Sequence, residues 1–133
     1  GFGLSYTTFE YSNLKVDKES VAADGELTVT VDVKNTGSVA GTEVVQLYVG
    51  FDNTSLKDTW GRPVKELKAF ARLADLAPGA TATATLKVKA KDLGYWDTAA
   101  KSWTVEKMSY QLYVGPSAQS DDPNMQKGSF SVK

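Results

Sequence analysis

The chain has 133 residues, enough for one domain with a real core and too few for two. Apolar residues at 41% and charged residues at 23% exclude wholesale disorder, and fifteen basic against sixteen acidic residues lack the cationic excess of a nucleic-acid binder. The absence of cysteine and histidine removes disulfides, thiolate nucleophiles, Ser-His-Asp triads and imidazole metal ligands from consideration.

Read in chain order, the sequence is a series of short strands. Residues 8–16 form a first candidate, closed by the turn at Asp24-Gly25. Residues 27–33 place Leu27, Val29, Val31 and Val33 on one side and polar groups on the other, the signature of a half-buried strand. After turn signals at Asn35-Thr36-Gly37 and Ala40-Gly41, residues 43–49 are apolar on both faces, as expected of a central strand or one covered by a neighbouring domain. Residues 64–76 are ambiguous: Val64, Leu67, Phe70, Ala71 and Ala74 fit a helical stripe, but Leu73 and Leu76 lie off it, and Pro63 could stand at a helix start or before an edge strand. Beyond Pro78-Gly79, residues 84–90 send Leu86 and Val88 inward and Lys87 and Lys89 outward. Shorter candidates at 93–97 and 102–106 precede 108–114, with Tyr113 on the outer face, and 128–132. Residues 116–127 are polar and rich in turn formers, which predicts an exposed loop. About seven strands with frequent turns predict an all-β, antiparallel two-sheet sandwich of the fibronectin type III or immunoglobulin kind. No apolar run is long enough to span a bilayer, and residues 1–20 lack the basic start and apolar middle of a signal peptide, so any targeting signal is expected outside this chain.

A family resemblance sharpens the picture. Gly1-Phe2-Gly3-Leu4-Ser5-Tyr6-Thr7, then Gly41-Thr42-Glu43-Val44-Val45-Gln46-Leu47-Tyr48-Val49, Arg62-Pro63-Val64-Lys65-Glu66-Leu67-Lys68-Ala69-Phe70 and Tyr110-Gln111-Leu112-Tyr113-Val114-Gly115 carry it. In order and spacing they resemble the C-terminal fibronectin type III-like domain of family 3 glycoside hydrolases of β-glucosidase and β-xylosidase type. The resemblance implies that 64–76 is β, that residues 1–7 are the tail of a linker from a preceding α/β domain, and that 8–133 form the sandwich. It further implies partners in the same parent chain, a catalytic barrel and an α/β sandwich, which hold the catalytic carboxylates. No catalytic residue, cofactor or metal is thereby expected here, nor a nucleic-acid or membrane partner. The implied location is extracellular or periplasmic. One departure stands out: where the family commonly has Glu-Pro-Gly, this chain has Glu106-Lys107-Met108, which predicts either a longer reversal or a strand running on.

The chemistry-bearing residues point the same way. Asp32, Glu43, Asp52, Asp58, Asp121 and Asp122 fall on outward strand positions or in turns, where a solvated face is expected rather than a glycosidase pair. Asp121-Asp122-Pro123-Asn124 clusters oxygens a calcium ion would accept, but its spacing suits a turn better. Phe51, Trp60, Tyr95, Trp96 and Trp103 are the side chains most able to bind, as an autonomous module on plant polysaccharide or lignin, the alternative being that they pack in the sandwich core or against the parent's catalytic domains. Of these, Trp96 and Trp103 are expected as a core or interface pair, and Trp60, in the 51–63 loop, as exposed. Asn53-Thr54-Ser55 is a glycosylation sequon.

Overall fold

The alternating run around Leu27 becomes the centre of a three-stranded sheet. In the computed structural model, which describes residues 7–51, 53–54, 65–119 and 122–133, β3 (Glu26–Asn35) lies between β1 (Phe9–Val16) and β6 (Thr81–Lys89), antiparallel to both. The linker assigned to residues 1–7 lies, except for Thr7, outside the described residues. A five-stranded sheet packs opposite, in the order β2 (Ser20–Val21), β10 (Gln126–Val132), β9 (Ser109–Gly115), β4 (Gly41–Gly50), β5 (Lys65–Leu76). Between β6 and β9 the chain makes a 3₁₀ turn (Ala90–Leu93) and a separate two-stranded hairpin, β7 (Tyr95–Asp97) and β8 (Ser102–Thr104). The expected sandwich is observed, with ten strands among the described residues rather than about seven. The strand the sequence did not mark is the two-residue β2, which joins β10 in parallel; the strands expected at 93–97 and 102–106 form a hairpin paired with neither sheet.

The ambiguous segment is strand β5, and its geometry explains the ambiguity. Between Ala69↔Leu47 and Leu67↔Tyr48 the register slips by one, and it slips again between Leu73↔Glu43 and Leu76↔Gly41. Each slip inserts one extra residue, first at Lys68 and then near Asp75, whose φ is 51°. The inward set becomes Ala69, Ala71, Leu73 and Leu76, and Leu67 and Phe70 fall three apart on the other face. Two bulges thus stretch a period of two until it mimics a helix.

The odd positions of β3 meet Val45, Leu47 and Val49 of β4 and Leu112 and Val114 of β9 in a fully buried core. At one end Tyr110 stacks on Phe130 (5.4 Å between centroids) and takes the edge of Phe51 (5.9 Å). The Tyr110 hydroxyl donates to the Glu106 carbonyl at 2.7 Å. This tyrosine corner pins the connection into β9. The Glu106-Lys107-Met108 departure is therefore a longer reversal: β8 stops at Thr104, β9 starts at Ser109, and the intervening backbone is not strand.

At the opposite end Asn35 is completely buried and fully satisfied. Its Oδ1 accepts from the Thr7 hydroxyl (2.7 Å) and the Gly37 N–H (2.9 Å), while Nδ2 donates to the carbonyls of Val39 (2.9 Å) and Leu76 (2.8 Å). Gly37 is needed here, because a Cβ would sit 1.8 Å from Thr7 Oγ1. The 116–127 segment is less free than expected. Met125 is buried, and Asn124 hooks β1 by accepting from the Tyr11 N–H (3.2 Å) and donating to the Phe9 carbonyl (2.9 Å).

Glu43 corrects a second expectation. It shares the inward phase of Val45 and Leu47 and is buried rather than solvated. Its neighbour Tyr11 is buried too, with no hydrogen-bond partner for its hydroxyl among the described residues: burial first, then the Glu43 charge, push the phenol well above its ordinary value. An unfolded tyrosine ionises near pH 10, so this raised value contributes stability that is complete below about pH 10 and lost as pH rises further. Urea midpoints between pH 8 and 11 should fall less steeply for Tyr11→Phe than for the parent. Identical slopes would contradict the assignment.

Candidate functional site: an apolar flank with a tryptophan hairpin

The β7–β8 hairpin is built by its turn. Asp97 Oδ1 accepts from the N–H groups of Ala99 (3.0 Å) and Ala100 (3.2 Å), and Lys101 closes the reversal at φ 52°. Trp96 and Trp103 are directly opposed, so both indoles project from one face. Their centroids are 5.8 Å apart and their planes cross at 75°. This edge-to-face contact contributes about 0.5–1.5 kcal/mol to the hairpin beyond burial. Neither ring is core, contrary to one branch of the expectation: Trp96 is 51% exposed and Trp103 72%. Their hairpin pairs with neither sheet of the sandwich, and among the described residues both indoles are left exposed. The mutual angle also means that the pair does not form a coplanar platform.

The other expected aromatics separate. Phe51 is a correction: it is buried in the core against Tyr110, because the end of β4 turns it inward. Tyr95 is half-buried on the opposite face of the hairpin. Trp60 lies outside the described residues. The base of its loop is anchored, with Thr54 donating to Glu106 Oε1 at 2.5 Å and Asn53 Nδ2 donating to the Ser109 carbonyl at 3.1 Å. The sequon thus begins at an exposed asparagine whose amide is already engaged, and Ser55 is outside the described residues.

Two exposed apolar side chains escaped the sequence reading. Phe70 is 70% and Leu67 49% exposed on the outer face of β5, opposite Gln46 and Tyr48 of β4. Lys68, between them, donates from Nζ to the Asp92 carbonyl (2.8 Å) and so ties β5 to the 3₁₀ turn that leads into the hairpin. Among the described residues, four of the five exposed large apolar side chains lie on these two linked elements; the fifth is Val39. Nearby on the same sheet face, the Lys65 ammonium lies 4.8 Å from the Tyr113 ring centroid and 5.7 Å from that of Tyr48. The signal for Phe70 was present as an apolar residue out of phase with its strand, but the bulge at Lys68 concealed the phase.

Several of the described carboxylates act as structural acceptors. Asp32 receives the Asn13 amide and the Thr83 hydroxyl, in that order of effect, which hold its pKa below the usual carboxylate range. That is the wrong direction for a general acid. Asp122 accepts from the Asn124 N–H at 2.8 Å, so this part of the acidic cluster is a turn, as its spacing suggested; Asp121 lies outside the described residues. Among the described residues no group of three or more acidic side chains is placed to hold a metal.

Comparison with known proteins decides the family. Residues 43–118 match the model of the fibronectin type III-like domain. The chain belongs to the fibronectin type III-like domain family. A β-glucosidase of Rhizobium radiobacter is 48% identical over 118 residues, which are 89% of this chain and 14% of that protein. A β-xylosidase of Formosa agariphila is 45% identical over 122 residues, 92% of this chain and 16% of the relative. Among solved structures, β-glucosidase 3B of Thermotoga neapolitana, in complex with α-D-glucose, superposes with a TM-score of 0.79 at 37% identity, over 98% of this chain and 16% of that one. A β-D-glucoside glucohydrolase of Trichoderma reesei gives 0.78 at 36% identity, over 99% and 20%. The fibronectin type III-like domain thus spans about a fifth or less of these relatives, and the resemblance to family 3 glycoside hydrolases holds over nearly its whole length.

Proposed function

We propose that this fibronectin type III-like domain is a non-catalytic accessory unit of a family 3 glycoside hydrolase of β-glucosidase or β-xylosidase type. It buries surface on the parent's barrel and α/β sandwich, fixes their relative placement and works outside the cell or in the periplasm. The observation that carries this reading is the match of nearly the whole chain to a small share of much longer β-glucosidases. The chemistry of the described residues supports it: Asp32, Asp97 and Asp122 are engaged as caps and strand ties.

Two measurements test it. The purified domain should hydrolyse aryl β-glucosides and xylosides at background rate. Turnover that survives repurification and disappears on replacing a carboxylate of this chain would overturn the proposal. In the Rhizobium radiobacter β-glucosidase, deleting the 118 matching residues should abolish soluble activity. Grafting this domain in their place should restore it. A graft no better than the deletion counts against the accessory role.

A further inference from the structure

Resting on that accessory reading, we infer that the domain docks on the rest of its parent chain through one flank, formed by Leu67 and Phe70 of β5 together with the Trp96–Trp103 face of the hairpin. The distribution of apolar surface singles out this side. Four large side chains between 49% and 72% exposed lie on β5 and on the hairpin, and the Lys68–Asp92 hydrogen bond ties β5 to the 3₁₀ turn that leads into that hairpin. Large apolar side chains left exposed on linked elements mark an interaction site.

Among the described residues, the far side of the sandwich offers no equivalent. There the outer edge of β1 is taken up by Asn124, and Gln126 Nε2 donates to the Tyr11 carbonyl at 3.3 Å; β2 covers the edge of β10. On the β5 flank, β5 and β6 likewise each end their sheet. The hairpin itself calls for a partner, since two strands of three residues are at best marginal alone.

The occupant is the remainder of the chain rather than a second copy. More than four-fifths of each curated relative lies outside the matched segment, which supplies a covering surface in cis. Edge-to-edge pairing of two β5 strands is opposed by the bulge at Lys68, the left-handed kink at Asp75 and the cationic Lys68 and Arg72. Arg72 and Lys87, both exposed beside the apolar groups, ask for carboxylates on the facing surface.

Hydrogen exchange on the isolated domain and on the Rhizobium radiobacter graft tests the assignment. Amides of β7 and β8 should exchange at least about tenfold more slowly in the graft. Phe70→Thr and Trp103→Thr should each lower the graft's half-inactivation temperature while leaving the urea midpoint of the isolated domain unchanged. If Trp103→Thr unfolds the isolated domain, Phe70→Thr alone decides the matter. An active graft whose hairpin amides exchange as fast as in the isolated domain overturns the docking flank and leaves the accessory role standing. So does hairpin protection of the isolated domain by cellopentaose, which would make the indoles a sugar site, or protection that rises with domain concentration, which would make the flank self-associating.

Discussion

Asn35→Ala should destabilise the domain by about 3–5 kcal/mol, although it removes only a small polar side chain. The substitution strips partners from two carbonyls, an N–H and a hydroxyl at a completely buried site. Each buried group left without a partner costs about 1–3 kcal/mol, and water can reach some of them near Gly37. The four partners come from the lead-in to β1, the β3–β4 turn and the end of β5, so one residue holds three segments together. Asn35→Asp should be nearly as damaging, because it keeps the acceptor and turns a second oxygen towards the Val39 and Leu76 carbonyls. Urea denaturation at neutral pH reads both. A loss below about 1 kcal/mol for Asn35→Ala would falsify the picture of Asn35 as a three-way tie.

Leu47→Ala should cost about 2–5 kcal/mol, the range for removing a large aliphatic group from a close-packed interior. Leu47 is completely buried on the inward face of β4, with Ala69 beside it on β5 and Val114 on β9. The sandwich cannot readily close over the void, because both neighbours are fixed by backbone ladders. Lys87→Ala provides the contrast. Its side chain points to solvent from β6, so its midpoint should move by no more than about 0.5 kcal/mol. The reverse order would mean that the assigned faces of β4 or β6 are inverted.

These two sites also show what the sequence made legible. Leu47 was readable because an unbroken strand repeats every two residues, and the same held for Leu27, Val29, Leu86 and Val88. Asn35 was readable only as a turn former, since its hydrogen bonds join residues up to 41 positions away. β5 resisted because two inserted residues altered its period, and that also hid Phe70 and Leu67 from the list of exposed groups. Glu43 was misplaced by chemistry overriding phase: its position faces inward, yet a carboxylate is normally expected in water. Phe51 was misjudged for lack of a partner, because the ring it packs on, Tyr110, lies 59 residues ahead. Tyr110 itself could have been found from its alternation with Leu112 and Val114, the pattern of a tyrosine corner.

The Asn124 hook has a mechanical consequence. β1 is held on one side by its ladder to β3 and on the other by a side chain from the β9–β10 connection. Tension applied through Thr7 therefore cannot peel β1 away one residue at a time from a free margin. It must break the Asn35 contacts, the ladder and the Asn124 bonds nearly together, so the load is shared by both sheets. Pulled from that end, the domain should yield in a single abrupt step, behaving as a stiff coupling rather than an extensible tether.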